Sequence, residues 1–308
     1  MNCRDTCYIG PNGHLINNPA KKYFEAASKH NFIAHYTSTH VLRQILKSRY
    51  IKLNRLNNLN DLEECENAMI NDKPVSVFTA CFTHNENESV PQWNMYTIGR
   101  DGVLIRYWFN QPIGDHAKNF VDPTRPVQMI RYDKSSMIPN EKSKIIKVAS
   151  SSIRNGSTDF SGYNITIAQD ITSVLNINLV DIDYNTADHK FLVDTRIATF
   201  RDQYGLNHGI MENTIGVSKD QGWSHEQETR IIGCLSRVDH TEQEIDMFEY
   251  ILFPFSLANV RKIEIIQSPW ISEEGKEEIE EICRDCLQQN DPPCVILPSC
   301  YFRKLKPR

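Results

Sequence analysis

The sequence lacks the features that mark several common protein classes. No apolar run reaches the ~18 residues that a transmembrane helix needs, and the polar start of the chain lacks the apolar segment of a secretory signal. Acidic residues outnumber basic ones and give a net charge of −5, so the chain has no overall basic surface for nucleic acid. These absences predict a soluble, cytoplasmic protein without a membrane partner.

A glycine-rich dinucleotide motif is also absent, which argues against a Rossmann enzyme. The nine cysteines are odd in number and scattered, which indicates reduced thiols and not a disulfide framework. Cys283, Cys286, Cys294 and Cys300 are close enough in sequence to offer four thiolates to zinc. Because Cys283 and Cys286 fall on the apolar stripe of a predicted helix, we favour packing in the core and expect no metal.

The stretch 32–61, with the sequence FIAHYTSTHVLRQILKSRYIKLNRLNNLND, organises the rest of the chain. It predicts a short strand carrying His35, a polar cap, a helix through Lys47, an extended segment and an Asn/Asp-rich turn. One stripe of the helix is apolar and consists of Val41, Leu42, Ile45 and Leu46. His35 and Tyr36 therefore lie where a strand ends and a helix begins, a place where side chains and free N–H groups converge on ligands.

Other segments complete an α+β domain. Strands are predicted at 74–83, 103–109, 127–132, 228–235, 250–255, 260–267 and, at an edge, 295–304. Helices are predicted at 21–30, 62–70, 91–98, 142–153, 165–175, 188–204 and 272–289. Residues 155–163 are rich in Gly, Ser and Asp and are predicted to form a loop. Residues 1–31 are predicted to be an N-terminal lead-in that is irregular over 1–20, and 32–308 a single domain with a mixed or antiparallel sheet, flanking helices and a helical insertion at about 136–216.

Three clusters of candidate functional residues lie at predicted strand boundaries: 35–38, Trp93 with Tyr96, and 223–230. In the third cluster Glu226 and Glu228 are two residues apart, so an extended backbone would project both carboxylates from one face. Such a pair can stabilise developing positive charge and orient a nucleophile. Each cluster also has a structural interpretation: a hydrogen-bonded histidine, two core aromatics, and a solvated strand entry in which Arg230 pairs with Glu228.

The sequence also resembles a known family. The segments HYTSTHVLRQIL, KLNRLNNLNDLEE, CFT, WNMYTIGRDGVLIRY, KDQGWSHEQETRII and LFPFSLANVRKIEII resemble the bacterial family catalogued as domain of unknown function 2971. The resemblance covers roughly 32–135 and 217–282. The chain departs from the family pattern at His225, where tyrosine is usual, and at Thr229, where tryptophan is usual.

That family in turn resembles the ADP-ribosyltransferase superfamily, which implies a split sheet with an NAD cleft between its halves. The resemblance implies that NAD is bound by His35, Tyr36, Thr37, Thr83, Trp93, Tyr96 and Arg230. His35 would bond the adenosine-side ribose, Tyr96 or Trp93 would stack on nicotinamide, and Thr83 would buttress the cleft. Glu228 would be the catalytic glutamate, and Glu226 would orient the acceptor. NAD is then a substrate, and the chemistry requires no metal.

The leading hypothesis is therefore an enzyme that transfers ADP-ribose from NAD to a protein or nucleic acid, or hydrolyses NAD, as a toxin or phage-defence effector. A second hypothesis is a non-catalytic binding module on the same fold. A third is a nucleic-acid-binding protein that uses a basic and aromatic face. The residues of that face would be Arg100, Arg106, Arg125, Arg131, Trp108 and Tyr132.

Overall fold

The structure is a computed structural model, and it describes about two thirds of the chain in separate ranges. The described residues are 8–9, 15–16, 26–61, 69–70, 73–74, 77–97, 101–113, 122, 124–132, 144–148, 150–153, 163–168, 173–184, 197–202, 205–210, 216–237, 248–302 and 304–305. None of the helices in these ranges combines the length and apolar character required to cross a membrane.

Helices are few and strands are many in the described ranges. The helices are α1 (Thr39–Ser48), α2 (Val90–Tyr96) and α3 (Glu273–Cys286). The strands are β1 (Tyr8–Ile9), β2 (Leu15–Ile16), β3 (Phe32–Ser38), β4 (Tyr50–Arg55), β5 (Met69–Ile70), β6 (Lys73–Pro74), β7 (Val77–Thr83), β8 (Gly102–Phe109), β9 (Gln128–Tyr132), β10 (Lys144–Val148), β11 (Ser150–Ile153), β12 (Tyr163–Ala168), β13 (Ser173–Asp181), β14 (Ile197–Asp202), β15 (Gly205–Ile210), β16 (Glu228–Arg237), β17 (Tyr250–Pro254), β18 (Val260–Gln267) and β19 (Cys294–Leu297).

The β3–α1–β4 unit forms as the sequence predicts. The Ser38 hydroxyl accepts the Val41 N–H at 3.3 Å and caps the start of α1. The helix ends at Arg49, which adopts the left-handed conformation (φ 59°) and donates its N–H to the Ile45 carbonyl at 2.9 Å. Leu42 and Leu46 are buried in the core. Helix α1 therefore connects two strands whose relative positions are fixed by the packing beneath it.

Most strands join one large mixed sheet, which divides along the edge of β7. One edge of β7 pairs with β16 over seven residue pairs from Glu228↔Thr83 to Cys234↔Val77. The other edge pairs with β4 near Thr79 and with β3 at a single position, Ala34↔Thr83. Strands β3 and β4 therefore share one side of β7 and diverge from each other. The α+β class with a mixed sheet is confirmed.

The far half of the sheet continues from β3 through antiparallel β8 and β18 to β19, which pairs in parallel with β18. Helix α3 packs against α1 on this side. Ser272 caps α3 by accepting the Gly275 N–H at 2.9 Å, and Ser272 itself is bonded to Asp101 at 2.9 Å. The predicted cap, terminal helix and edge strand are all observed, although β19 ends at Leu297 and not at 304.

The core lies between α1, α3 and the sheet. Its buried members include Leu42, Leu46, Phe78, Ile105, Tyr107, Phe253, Ile263, Ile279 and Ile282. Cys283, Cys286 and Cys294 pack against this core, and the Sγ atoms of Cys283 and Cys294 are 3.9 Å apart. Cys300 is exposed. Three of the four clustered cysteines thus act as small apolar side chains, as the sequence favoured.

The prediction of a helical insertion at 136–216 is wrong for the residues that the structure describes there. Predicted helix 142–153 contains strands β10 and β11, predicted helix 165–175 falls on β12 and β13, and predicted helix 188–204 contains β14. In β13, apolar Leu175, Ile177 and Leu179 alternate with Asn176 and Asn178, the period-two pattern of a strand. Pairing with β16 places β13 in the main sheet.

The predicted lead-in contains two short strands where irregular structure was expected. Strands β1 and β2 pair with each other, and β1 pairs with β14, so this part of the chain joins a small sheet of four strands. Several predictions lie outside the described residues: most of helix 21–30, most of helix 62–70, and the loop 155–163 apart from its last residue. The last two residues of predicted helix 62–70 form β5 instead.

Candidate functional site

A cavity of about 780 Å³ occupies the opening between diverging strands β3 and β4. Helix α1 contributes Val41 and Ile45 to one wall, and β3 contributes His35. Tyr96 at the end of α2 and Glu228 at the start of β16 also line it. A smaller cavity of about 80 Å³ shares His35, Tyr96 and Glu228 with the first. The split of the sheet therefore brings three distant segments to one pocket.

His35 is held in one tautomer. Its Nδ1 lies 2.9 Å from the Cys81 carbonyl oxygen, which can only accept, so Nδ1 carries the proton and donates it. Burial lowers the pKa of His35, although the bond to Cys81 opposes the shift. The imidazole is therefore neutral near physiological pH, and Nε2 is left as an acceptor at the cavity. An acceptor of this kind suits a ligand hydroxyl.

Glu228 is a buried carboxylate in a bidentate ion pair. Arg230 donates from Nε to Oε1 at 2.7 Å and from Nη2 to Oε2 at 2.9 Å, and Lys219 Nζ lies 3.6 Å from Oε2. Burial raises the pKa of Glu228, but the positive charges of Arg230 and Lys219 outweigh it and leave the pKa below its ordinary value. The carboxylate is therefore ionised and fixed in orientation at the cavity wall.

Glu226 belongs to the same network through a different geometry from that predicted. Residues Gln221–Glu226 form a 3-10 helix, and Gln227 adopts the left-handed conformation (φ 42°), so an extended backbone starts only at Glu228. Lys219 Nζ nevertheless contacts Glu226 Oε2 at 2.6 Å, and the Tyr96 hydroxyl donates to Glu226 Oε1. Both carboxylates thus converge on one ammonium group, although they do not project from one strand face.

Thr83 occupies the point at which the sheet divides. It is the β7 residue that pairs with both Ala34 of β3 and Glu228 of β16. Its hydroxyl donates to the Glu226 carbonyl oxygen at 2.7 Å and accepts the Asn85 N–H at 3.1 Å. Thr83 therefore links the turn that carries Glu226 to the branch of the sheet, and it lines the smaller cavity.

The remaining predicted residues divide between the cavity and the core. Thr37 and Arg230 line the large cavity. Trp93 is fully buried, packs edge-on against Tyr36 at 4.8 Å and donates from Nε1 to Glu88 at 3.0 Å. Tyr36 accepts the Ser89 N–H at 2.8 Å and lines the smaller cavity but not the large one. Of the two aromatic candidates for stacking, Tyr96 is therefore the one that reaches the cavity.

Positive charge lines the large cavity at two levels. Lys219 and Arg230 lie at its base, where both are buried in ion pairs with carboxylates. Lys47 and Lys52 lie at its rim, where both are exposed. Lys52 Nζ sits 4.3 Å from the centroid of the Tyr250 ring. The base is thus electrically balanced and the rim is basic, an arrangement that suits an anionic ligand whose phosphates lie near the opening.

The proposed basic and aromatic face is not one surface in the described residues. Arg106 is buried, with Nη1 bonded to Glu264 at 3.1 Å and Nη2 bonded to the Glu86 carbonyl at 2.9 Å. Arg125 lies over the Tyr50 ring at 4.3 Å, in another part of the fold. The Arg100 residue and the side chains of Arg131 and Tyr132 lie outside the described part. Trp108 remains half-buried, with Arg261 and Lys262 over its ring.

One segment of the chain matches a family model. Residues 92–231 match the family model described as Protein of unknown function (DUF2971). The family resemblance is confirmed over this segment, which contains Tyr96, Lys219, Glu226, Glu228 and Arg230. The matched segment also spans the described strands of the supposed insertion. The chain matches none of the curated proteins and none of the solved structures.

Lys219 is a residue of the candidate site that the sequence analysis did not select. It is almost fully buried, contacts Glu226 and Glu228, and lies 4.3 Å from the centroid of the Trp223 ring. A lysine beside a Gly-Trp turn has the local appearance of a solvated residue. The available signal was the count of charges: two carboxylates and only one arginine in 223–230 leave a charge for another cation to balance.

Proposed function

We propose that the protein is an NAD-using enzyme with an ADP-ribosyltransferase-like fold, which transfers ADP-ribose to a macromolecule or hydrolyses NAD. The observation that carries this proposal is that His35, Tyr96 and Glu228, from three distant segments, line one cavity of about 780 Å³. That volume falls within the range of roughly 300–1,000 Å³ typical of small-molecule sites. The basic rim at Lys47 and Lys52 supplies charge for the pyrophosphate.

The reaction breaks the bond between ribose C1′ and the nicotinamide nitrogen. Nicotinamide leaves with the electron pair, positive charge develops on the ribose, and the oxygen of water or of an acceptor adds to C1′ with loss of its proton. Glu228 is the ionised group that stabilises this charge, and its attachment to Arg230 fixes its position before the substrate binds. His35 Nε2 accepts from a ribose hydroxyl, and the Tyr96 ring stacks on nicotinamide.

Glu226 is better suited to orienting an acceptor than to accepting its proton. Its two oxygens already accept from Lys219 and Tyr96. Burial and the adjacent Glu226 carboxylate raise the pKa of Tyr96, so that hydroxyl remains protonated and keeps donating. Glu226 therefore holds Lys219 and Tyr96 in place at the cavity.

A second function is favoured by one observation: both carboxylates are fully engaged in buried ion pairs. A carboxylate that is neutralised by two cations stabilises a developing positive charge less than a free one does. The same cavity would then serve a non-catalytic module that binds a dinucleotide or a related phosphate ester.

The two functions are separated by incubating the purified chain with NAD and measuring both free nicotinamide and the melting temperature. An enzyme releases nicotinamide, and Glu228→Gln abolishes release while NAD still binds. The matched control is Glu278→Gln, which alters a carboxylate on α3, away from the cavity. A melting temperature raised by NAD without nicotinamide release would establish the binding module. Equal release by Glu228→Gln and the unaltered chain would exclude the proposed catalytic residue.

A further inference from the structure

A second polar cluster lies on the opposite face of β16 from the cavity. Side chains alternate along a strand, so Thr229 points away from its neighbours Glu228 and Arg230. Thr229 pairs in register with Asp181 of β13, and its hydroxyl donates to Asp181 Oδ1 at 2.6 Å. His30, just before β3, and His84, just after β7, complete the cluster. Neither histidine belongs to the site described above.

The ligand atoms of His30, His84 and Asp181 all lie within 4.8 Å of one another. His30 Nε2 lies 2.8 Å from Asp181 Oδ2, and His84 Nδ1 lies 3.6 Å from Asp181 Oδ1. Atoms bound to one tetrahedral ion at about 2.0–2.2 Å are separated by roughly 3.3 Å. These two separations lie on either side of that value, and the remaining nitrogen-to-nitrogen separation is at most 4.8 Å, so side-chain rotations would bring the three groups around one ion.

The two imidazole rings are arranged alike. They stack with centroids 4.3 Å apart and planes 12° from parallel, and a nitrogen of each faces the same carboxylate. Because a bound ion lies in the plane of each imidazole that holds it, one ring must turn about its Cβ–Cγ bond when the ion binds. The three side chains are 22%, 24% and 12% exposed, so an ion can enter and water can fill the remaining positions. Thr229 fixes the carboxylate through its hydroxyl, in the manner of the outer hydrogen bonds that orient metal ligands.

We propose that His30, His84 and Asp181 form a binding site for a divalent first-row transition metal, with zinc as the ion best suited to it. Two imidazoles and one carboxylate match the ligand preference of this class, whereas magnesium and calcium prefer oxygen ligands. On binding, the ion replaces the hydrogen bond between His30 Nε2 and Asp181 and the 2.8 Å contact between His84 Nδ1 and the Thr229 hydroxyl. Each ligating nitrogen gives up its proton, and each ring stays neutral because its other nitrogen carries a proton, exchanged through solvent.

The position of the site indicates what the ion does for the fold. His30 lies two residues before the start of β3. His84, Asp181 and Thr229 lie on the side of the sheet formed by β7, β13 and β16. Strands β3 and β7 pair at one position only, Ala34↔Thr83. An ion held by His30 and His84 therefore joins the two diverging halves of the sheet next to their single link. The ion stabilises the folded state by mass action because the unfolded chain does not assemble the ligands.

The test uses the full chain without a histidine tag, stripped of metal by a chelator and titrated with Zn²⁺ by calorimetry. We expect one ion bound per chain and a rise in melting temperature. Asp181→Asn and His84→Ala each weaken binding at least ~10-fold and remove that rise. Visible absorption of Co²⁺ as a substitute ion reports nitrogen and oxygen ligands. Asp181→Asn keeps the side-chain volume and an oxygen for Thr229, so it carries the test where His84→Ala fails to fold.

Two control variants keep the result specific. His40→Ala removes an exposed histidine of α1 whose partner is Gln44, and it leaves Zn²⁺ binding unchanged. Cys286→Ser alters the cysteine cluster and also leaves it unchanged. The proposal is overturned if the unaltered chain binds no Zn²⁺, if Asp181→Asn binds it normally, or if either control variant abolishes binding. Because the readout is metal binding, the outcome is independent of the NAD assay.

Discussion

The guanidinium of Arg230 binds the carboxylate of Glu228 through two hydrogen bonds of 2.7 and 2.9 Å. Arg230 is fully buried and also donates to the Gly216 carbonyl at 3.0 Å. The two residues are adjacent on one face of β16, so the strand itself presents them to each other. The ion pair between Arg230 and Glu228, which the sequence analysis gave as the structural interpretation, therefore lies at the wall of the proposed catalytic cavity. Glu228 thus has a structural partner and is also the proposed catalytic residue.

Arg230→Met is expected to destabilise the fold by roughly 3–5 kcal/mol, because it leaves Glu228 buried with Lys219 as its remaining cation. Glu228→Gln is expected to destabilise for the converse reason, since it leaves Arg230 with a neutral partner. Urea unfolding of each single variant and of the double variant measures the coupling. The double variant should lose less than the sum of the single losses; additive losses would show that the pair contributes nothing as a pair.

The stability supplied by Glu228 depends on pH in a defined direction. Its folded-state pKa is lowered below the ordinary value of 4.5, so the folded state binds its proton less readily than the unfolded chain. The contribution is fully present above that ordinary value and is lost as the pH falls through the lowered folded-state pKa. Urea midpoints of the unaltered chain and Glu228→Gln should differ at neutral pH and converge in acid. A difference that grows in acid would reverse the sign assigned here.

Lys219→Met tests the residue that joins the two carboxylates. It removes the buried partner of Glu226 and one partner of Glu228, so we expect a loss of roughly 3–5 kcal/mol. Lys276→Met is the matched control, since Lys276 pairs with Glu273 on the surface of α3. A surface ion pair of this kind contributes under ~1 kcal/mol to the free energy of unfolding. Thermal and urea unfolding compare the two. Equal losses of unfolding free energy in the two variants would mean that the buried ion pairs of Lys219 stabilise the fold no more than a surface pair does.

Lys47→Ala with Lys52→Ala tests the basic rim. If the phosphates of NAD lie at the cavity opening, this double variant should weaken NAD binding several-fold, and the difference should shrink as salt is added. Both side chains are exposed, so the fold should be retained. Calorimetric titration at low and high salt measures the effect, with Lys276→Ala as a control for loss of charge. Unchanged affinity would place the phosphates elsewhere in the cavity.

Elements of this fold that depend on neighbouring residues could be predicted from the sequence, and contacts between distant residues could not. The unit β3–α1–β4 was predictable because a cap at Ser38 and an apolar stripe around Leu42 and Leu46 are local signals. Strand β12 carried an equally local signal, the alternation of Ile165, Thr166 and Ile167, which was assigned to helix 165–175 by mistake. The sequence therefore contained the information needed to predict such a strand. The error was to read a strand period of two residues as a helix period of 3.6.

The sequence by itself determined the α+β class, most strands of the split region, and the short list that contains His35, Tyr96 and Glu228, because strand and helix patterns depend on neighbouring residues. The tertiary structure alone decided that these three line one cavity, that Lys219 unites the carboxylates, and that His30 meets Asp181 across 151 positions of sequence. The physical reason is that pairing of β7 with both β3 and β4 is non-local. No local pattern specifies which distant side chains that divergence brings together.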